Sequence, residues 1–419
     1  MNPHKQLSLQ ADRRVLQLER RGASQALQRF MSIESGRRVR PVAWLHIGFA
    51  LTGVGTTLFG CILPGLSLVW HLDDRRSGVL FAAQFTGSAL GALLVRSDFF
   101  RSLLRGYFLL IISAIAVALS NSFARVFLFF ALGLGLGLTM TATSMLIGRT
   151  ASTNRGAALS VLNVFWGLGA AASPLMASLW MGRWSPPYIF LLLAAVLTIT
   201  LLVLVQNRAA VVGGANAAAP QSSSRVELKL VSIFAIVAFL YVGTEVSVSG
   251  WMMTYVHRLP ISGKAWAAVA TSCFWTALLC GRSLVPVVVR SFSEAQLLTS
   301  SLMTAFVSIV LLLLSHTRLA VVLSATTAGL MLAPIFPLCL SKVLTLMHDS
   351  PESKWIFFVS GLGGAVLPWL TGELSAHTGS LRAGRPASQR LPTCAANAWQ
   401  RNSSRRARIF SSACCAPPA

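Results

Sequence analysis

Long apolar stretches separated by short polar ones dominate the chain between residues 42 and 374. Eleven stretches can be delimited, at 42–69, 77–95, 104–121, 123–148, 156–181, 187–206, 229–256, 265–289, 294–315, 318–346 and 353–374. Most hold the roughly 20 apolar residues that a helix needs to cross a bilayer. Lipid offers backbone amides no other partner, so each stretch is predicted to be helical. The pattern predicts an all-α membrane protein.

Composition agrees with a protein whose outer face meets lipid. The chain is 54% hydrophobic and 11% charged, with a mean hydropathy of +0.67. The net charge of +23 does not indicate nucleic-acid binding, because residues 1–40 contribute +6 of it and residues 380–419 contribute +7. Much of the rest lies in the short connections, where Lys and Arg set membrane orientation. These connections favour a cytoplasmic N-terminus and a multi-pass protein of the cell membrane.

Two segments of the chain repeat each other at a spacing of 194 residues. Residues 167–174 read Gly-Leu-Gly-x-Ala-x-x-Pro, and so do residues 361–368. The same spacing relates three further pairs of residues, which are Gly87 and Gly281, Arg96 and Arg290, and Gly135 and Gly329. Two matching helical halves around a cavity are the usual plan of a secondary transporter.

The repeat divides the chain into two pseudo-symmetric bundles. We expect a basic cytoplasmic tail at 1–41, a six-helix bundle at 42–206, a flexible linker at 207–228, a five-helix bundle at 229–379 and a polar basic tail at 380–419. The sixth span should recur at 381–400, but those residues include three arginines, each costing about 2.5–3.5 kcal/mol at a helix centre. The twelfth helix is therefore expected to be lost through a shifted reading frame or a truncation; a genuine polar extension is the alternative.

Several motifs resemble the major facilitator superfamily over residues 42–384. Gly169-x-x-x-Ser173-Pro174 resembles its Gly-x-x-x-Gly-Pro motif, and the connection around Arg96 resembles its signature loop in degenerate form. Residues 241–247 and 332–337 are similar to the fucose/glucose-galactose permease group. The resemblance implies two bundles, a central cavity and a sugar as solute. The acids that the fucose symporter carries on its first and fourth spans have no counterpart here, so coupling would need another residue.

Glu245 is the acid that the sequence places near mid-membrane. Burial disfavours its charged form, so the carboxyl could load and release a proton. Tyr241 and Ser249, at i−4 and i+4, share its helix face. An intramembrane carboxylate with polar neighbours is a functional-site candidate. The alternative is a carboxyl that only fixes helix packing.

Other polar residues within the spans could bind a solute. Gln84 lies on the second span, Asn163 and Trp166 share one face of the fifth, and Trp275 lies on the eighth. An amide beside an indole suits a polyhydroxylated ligand, which hydrogen-bonds at its edge and stacks on its face. Interhelical hydrogen bonds are the equally weighted alternative.

Arg282 follows Trp275 by two helical turns and is expected to lie too far toward the cytoplasm to pair simply with Glu245. A structural or gating role is therefore preferred for it over solute contact. A structural or gating role is also predicted for Arg96, Arg290, Gly169, Pro174, Gly363 and Pro368. The two prolines are either hinges or static kinks.

The prediction is a secondary active transporter working by alternating access, a monomer that moves a small polar solute, with a sugar and a proton as the favoured solute and coupling ion. The alternatives are an exporter of amphiphilic compounds, a channel, and a membrane protein made inactive by the C-terminal loss. A channel would need a continuous polar lining, which scattered single residues do not supply. No nucleotide loop, metal-ligand spacing or nucleophile–base pair indicates an enzyme or a cofactor.

Overall fold

A computed structural model describes residues 39–120, 124–150, 155–209, 228–260, 264–339 and 353–379. Within these ranges the chain is helical, with no strand. The helices are α1 (Val39–Trp70), α2 (Asp74–Leu93), α3 (Phe99–Leu119), α4 (Arg125–Thr150), α5 (Arg155–Met181), α6 (Ile189–Gln206), α7 (Leu228–Arg258), α8 (Lys264–Val288), α9 (Glu294–Leu314), α10 (Arg318–Leu332) and α11 (Ser353–Thr378). The C-terminal tail, nearly all of the N-terminal tail and most of the linker lie outside the described residues.

Nine of the described helices are long and apolar enough to cross a membrane. The remaining two, α2 and α11, pack closely against each other at the centre of the molecule. Gly78 of α2 meets the backbone of Trp369 and Gly372 of α11. This close contact joins a helix of the first half of the chain to a helix of the second half.

The helices of the first half pack through glycines and interlocking aromatic rings. The Phe59 ring lies edge-to-face with Phe81 and Phe129, at 4.6 Å between ring centroids in each case. Gly87 of α2 and Gly133 of α4 each lie against the backbone of the facing helix. Glycine permits this approach, and close van der Waals packing is the main force that joins helices in lipid.

The repeated motif occupies equivalent positions in the two halves. Gly169 of α5 lies against the Ala50 carbonyl of α1, and Gly363 of α11 lies against the Phe239 carbonyl of α7. In each half the glycine thus meets that half's first helix.

The 194-residue spacing does not hold through the fourth helix. Gly135 faces Leu110 of α3, whereas Gly329 faces Phe274 of α8. The contact equivalent of Gly329 is Gly133, which faces Gln84 of α2. Gly135 and Gly329 thus lie on the corresponding helices, α4 and α10, but on different faces of them.

Among the described residues, three helix pairs make the most extensive contacts between the two bundles. Besides the α2–α11 pair, α1 and α7 meet at Gly60 and Gly250, whose backbones are close enough to exclude a side chain. The third pair is α5 with α8, where the Ser272 hydroxyl donates a hydrogen bond of 2.9 Å to the Ala171 carbonyl. These contacts bring the polar residues of both halves toward one central region.

Candidate functional site

A buried ion pair links α7 and α8 inside the second bundle. Nη2 of Arg282 donates to Oε2 of Glu245 at 2.8 Å and to the Tyr241 hydroxyl at 3.1 Å. The side chains of Glu245 and Arg282 are 9% and 26% exposed. The pair carries no net charge, so the low-dielectric surroundings penalise it far less than either charge alone.

The expectation that Arg282 lies too far from Glu245 is wrong. It neglected the direction in which helical side chains point. Each side chain leans toward the N-terminus of its own helix, and α7 and α8 are consecutive helices that run in opposite directions. Arg282 and Glu245 therefore lean toward each other along the membrane normal, and the long arginine side chain spans the remaining distance.

Two tryptophans meet across the bundle interface. Trp166 of α5 and Trp275 of α8 lie edge-to-face, with 5.4 Å between their ring centroids and 75° between their planes. Both indole N–H groups are buried, and neither has an acceptor among the described residues. An unsatisfied buried donor costs about 1–3 kcal/mol, so this pair is a place where a ligand oxygen would be stabilising.

Asn163 lies at about the depth of Arg282 on the other side of the interface. Helices α5 and α8 run antiparallel, because Ala171 contacts Ser272 while Gly167 lies against Leu279. Continuing that register places Asn163 close to the level of residue 282. The Asn163 side chain is exposed, and its amide donates to the carbonyl of Leu159 in its own helix at 3.0 Å.

Two predicted site residues donate hydrogen bonds to backbone carbonyls of the helices. The Gln84 amide donates to the Thr56 carbonyl of α1 at 3.0 Å, and its side chain is almost fully buried inside the first bundle. The Ser249 hydroxyl donates to the Glu245 carbonyl of its own helix at 2.7 Å. Tyr241 does belong to the ion-pair site, where its ring stacks on Phe336 at 5.7 Å.

The predicted gating residues fall into two groups. Arg96 and Arg290 are exposed in the connections that follow α2 and α8. Gly169, Gly363 and both prolines are buried in helix contacts, and the Trp251 indole donates to the Pro368 carbonyl at 3.0 Å.

A second charged cluster, missed by the sequence analysis, ties the bundles together at the end of the helices where α2 begins and α7 ends. We call it the Asp74 cluster, and it consists of Asp74, Arg75, Arg258, Glu373, Ser375 and His377. Asp74 accepts hydrogen bonds from Arg258 at 2.8 and 2.6 Å and from Ser375 at 2.6 Å. Nε of Arg75 donates to the Glu373 carboxylate at 2.8 Å. Helix α2 is thus clamped to α7 and α11.

The environment of Asp74 stabilises its charged form. Burial raises the pKa of this carboxyl, but the hydrogen bonds and positive charge of Arg258, with the Ser375 hydroxyl, outweigh burial and hold the pKa below its usual value. The sequence did contain a signal for this cluster, because acidic and basic residues occur together at three helix ends that are predicted to lie on one side of the membrane. Counting only Lys and Arg for orientation discarded it.

The described residues also line a cleft of about 360 Å³ at the end of the first bundle, between Trp70, Arg125 and Tyr188. It lies away from the bundle interface and shares no residue with the ion pair. Among the described residues, no three His, Cys, Asp or Glu side chains converge as metal ligands do.

A sequence profile of the Major Facilitator Superfamily matches residues 45–368. The chain belongs to this superfamily. Similar proteins include the glucose/mannose transporter GlcP of Bacillus subtilis, which is 27% identical over 236 residues, or 51% of this chain and 56% of GlcP. A glucose/galactose transporter of Brucella abortus is 28% identical over 146 residues, or 34% of this chain and 35% of that protein. These alignments thus span about half or less of each relative.

Solved structures share the fold. A bacterial homologue of the human lysosomal transporter Spinster, in an inward-facing conformation, has a TM-score of 0.65 at 14% identity, over 81% of this chain and 83% of that one. The transporter FucP in the outward conformation has a TM-score of 0.56 at 15% identity, over 83% and 95% of the chains. The expected family, the all-α two-bundle fold and the assignment as a membrane transporter rather than an enzyme are confirmed.

Proposed function

We propose that the chain is a secondary active transporter that carries a small polar solute by alternating access and couples it to a proton at Glu245. The observation that carries the proposal is the Glu245–Arg282–Tyr241 site, which lies beside the α5–α8 contact between the bundles. Among the described residues, Glu245 is the acid that lies away from helix ends. A proton that crosses with the solute would therefore be held there.

The Asp74 cluster stabilises the conformation that the structure shows. It holds α2 against α7 and α11, so the bundles are closed at that end. With the N-terminus inside, this end faces outward, and the conformation is closed to the outside. Opening requires these ion pairs to separate while the bundles tilt about the central crossings, such as that of Gly60 with Gly250.

A sugar is the first solute to test. The aligned relatives from Bacillus subtilis and Brucella abortus are named as glucose transporters. The two tryptophans supply apolar ring faces and N–H donors of the kind that hold polyhydroxylated ligands. The one acid within the described helices of the N-terminal bundle is Asp74, at the start of α2, where Arg258 and Ser375 hold it. That bundle has no acid in the middle of a described helix, which leaves the second bundle as the coupling half.

The test is uptake of radiolabelled small polar solutes, with glucose and its carboxylic acid gluconate first, into proteoliposomes with and without an inward proton gradient. We expect the gradient to stimulate uptake by the unaltered protein. Glu245→Gln, which mimics the protonated carboxyl, should still exchange solute across the membrane but should lose stimulation by the gradient.

Glu294→Gln is the matched control, because it removes a carboxylate from the exposed start of α9. It should respond to the gradient as the unaltered protein does. Gradient-driven uptake that survives in Glu245→Gln would refute proton coupling at this residue.

A further inference from the structure

We infer that the solute bears a carboxylate as well as hydroxyl groups, and that its carboxylate replaces Glu245 on the guanidinium of Arg282. This inference rests on the proposed function and names the solute class of the same site, a polyhydroxylated carboxylic acid. Three features of the site carry it, which are the accessibility of Arg282, the unpaired donors around it, and the charge balance of the exchange.

Arg282 is the accessible member of the ion pair. Its side chain is 26% exposed, whereas that of Glu245 is 9% exposed, so Arg282 is the more accessible partner. One terminal nitrogen serves both Glu245 and Tyr241, and the buried Nε–H has no acceptor among the described residues. A guanidinium binds a carboxylate through two parallel hydrogen bonds, and this one still has donors to offer.

Two buried indole N–H donors without an acceptor in the described part of the chain lie on α8 and on the helix that it contacts, α5. Trp275 precedes Arg282 by seven residues on α8, which places both on one face about 10.5 Å apart along the axis. Its indole N–H and that of Trp166 lack acceptors among the described residues. Together with Nε of Arg282, these are three N–H groups without acceptors in the described ranges, and such a set suits a ligand rich in acceptor oxygens. A six-carbon hydroxy acid is long enough to place its carboxylate at Arg282 and its far hydroxyls at the tryptophans.

The exchange of carboxylates explains how a proton is loaded. In the structure the Glu245 carboxylate accepts a hydrogen bond from Arg282. When the solute carboxylate accepts the hydrogen bonds of Arg282, Glu245 loses its partner in a low-dielectric site and takes up one proton from the aqueous side. The site then holds one anionic solute, one protonated glutamate and one guanidinium. It is neutral before and after loading, so one anion and one proton cross together without net charge.

The location of the ion pair within one bundle also favours the exchange of carboxylates. An ion pair that held the two bundles together would need one partner in each bundle. Glu245 and Arg282 both belong to the second bundle, so tilting of the bundles does not by itself separate them. A ligand that competes for the arginine separates them directly. This provides the differential contact that a coupled conformational change requires.

The experiment compares D-gluconate with D-glucose in proteoliposomes that contain the full chain. We expect gluconate uptake to be driven by an inward proton gradient and to be unaffected by a membrane potential imposed with potassium and valinomycin. Arg282→Gln should lose gluconate uptake and binding by at least about tenfold, which corresponds to about 1.4 kcal/mol. Arg183→Gln removes an exposed arginine far from the site and should change neither.

Binding provides a readout that does not depend on transport. In detergent, gluconate should raise the melting temperature of the unaltered protein and of Glu245→Gln, but not that of Arg282→Gln. If glucose is transported with the gradient while gluconate is neither transported nor competes, the inference is overturned and the proposed function stands. If neither compound is transported by folded protein, both fail. Gluconate uptake that follows the membrane potential would overturn the exchange of carboxylates.

Discussion

At the scale of the residue, the site is defined by polar groups whose partners differ from those the sequence suggests. Glu245 and Tyr241 could be identified from sequence because an acid in an apolar helix is costly and therefore conspicuous. The partner of Glu245 could not, since residue counting ignores the lean of side chains along antiparallel helices. The Ser249 hydroxyl donates to the Glu245 carbonyl of its own helix, so its place in a solute site stays a prediction.

The unpaired indole of Trp275 gives a prediction at this scale. Trp275→Phe retains an aromatic ring against Trp166 but removes a buried donor that has no acceptor among the described residues. We expect solute affinity to fall by about 2–10-fold, the worth of one hydrogen bond, while thermal stability is unchanged or slightly higher. Isothermal titration and thermal unfolding in detergent measure the two quantities.

Trp180→Phe is the matched control for that experiment. The Trp180 indole already donates to the Ser185 carbonyl at 3.1 Å, so its loss should reduce stability and leave solute affinity intact. Unchanged affinity in Trp275→Phe would remove this indole from the solute site.

At the scale of the element, the helices and their approximate bounds followed from apolar length alone, because lipid permits the backbone few other structures. The packing of the helices did not follow as completely. The repeat at Gly169 and Gly363 identified equivalent helices, whereas the match of Gly135 with Gly329 paired glycines that face different neighbours. A constant spacing detects a duplication, but contact equivalence depends on which face of the helix each glycine occupies.

The equivalence of Gly169 and Gly363 predicts matched sensitivity to substitution. An added methyl group at either position would overlap a backbone carbonyl of the neighbouring helix. We expect Gly169→Ala and Gly363→Ala each to destabilise the protein by about 1–3 kcal/mol, as overpacking does, and to reduce transport. Thermal unfolding of the purified variants provides the measurement.

Gly182→Ala is the control, because the nearest atoms to an added methyl there lie at 3.8 and 3.9 Å. It should behave as the unaltered protein. If only one of the two helix glycines proved sensitive, the equivalent packing of the two halves would be contradicted.

At the scale of the whole molecule, the sequence predicted two bundles but not the conformation that joins them. That conformation depends on ion pairs between residues far apart in the chain, such as Asp74 with Arg258 and Arg75 with Glu373. No local pattern encodes such contacts. These ion pairs can be recognised only from the folded structure, in which three helix ends lie on the same side.

The pKa of Asp74 gives this closure a pH dependence. Its pKa is lowered in the closed conformation relative to that of a separated, solvated aspartate, which is about 3.9. The stabilisation is therefore fully present above about pH 4 and is lost as the pH falls through the lower pKa of the closed conformation. Acid pH and Asp74→Asn should both favour opening at this end.

The most direct test of the account is a pair of spin-label distances in lipid nanodiscs, in a variant without native cysteines. Labels at Trp184→Cys and Leu319→Cys report on the end that holds the Asp74 cluster, and labels at Ser97→Cys and Phe292→Cys report on the opposite end. With Asp74→Asn we expect the first distance to lengthen and the second to shorten, because tilting bundles exchange one opening for the other. If both distances lengthened together, or neither changed, alternating access by two tilting bundles would be contradicted.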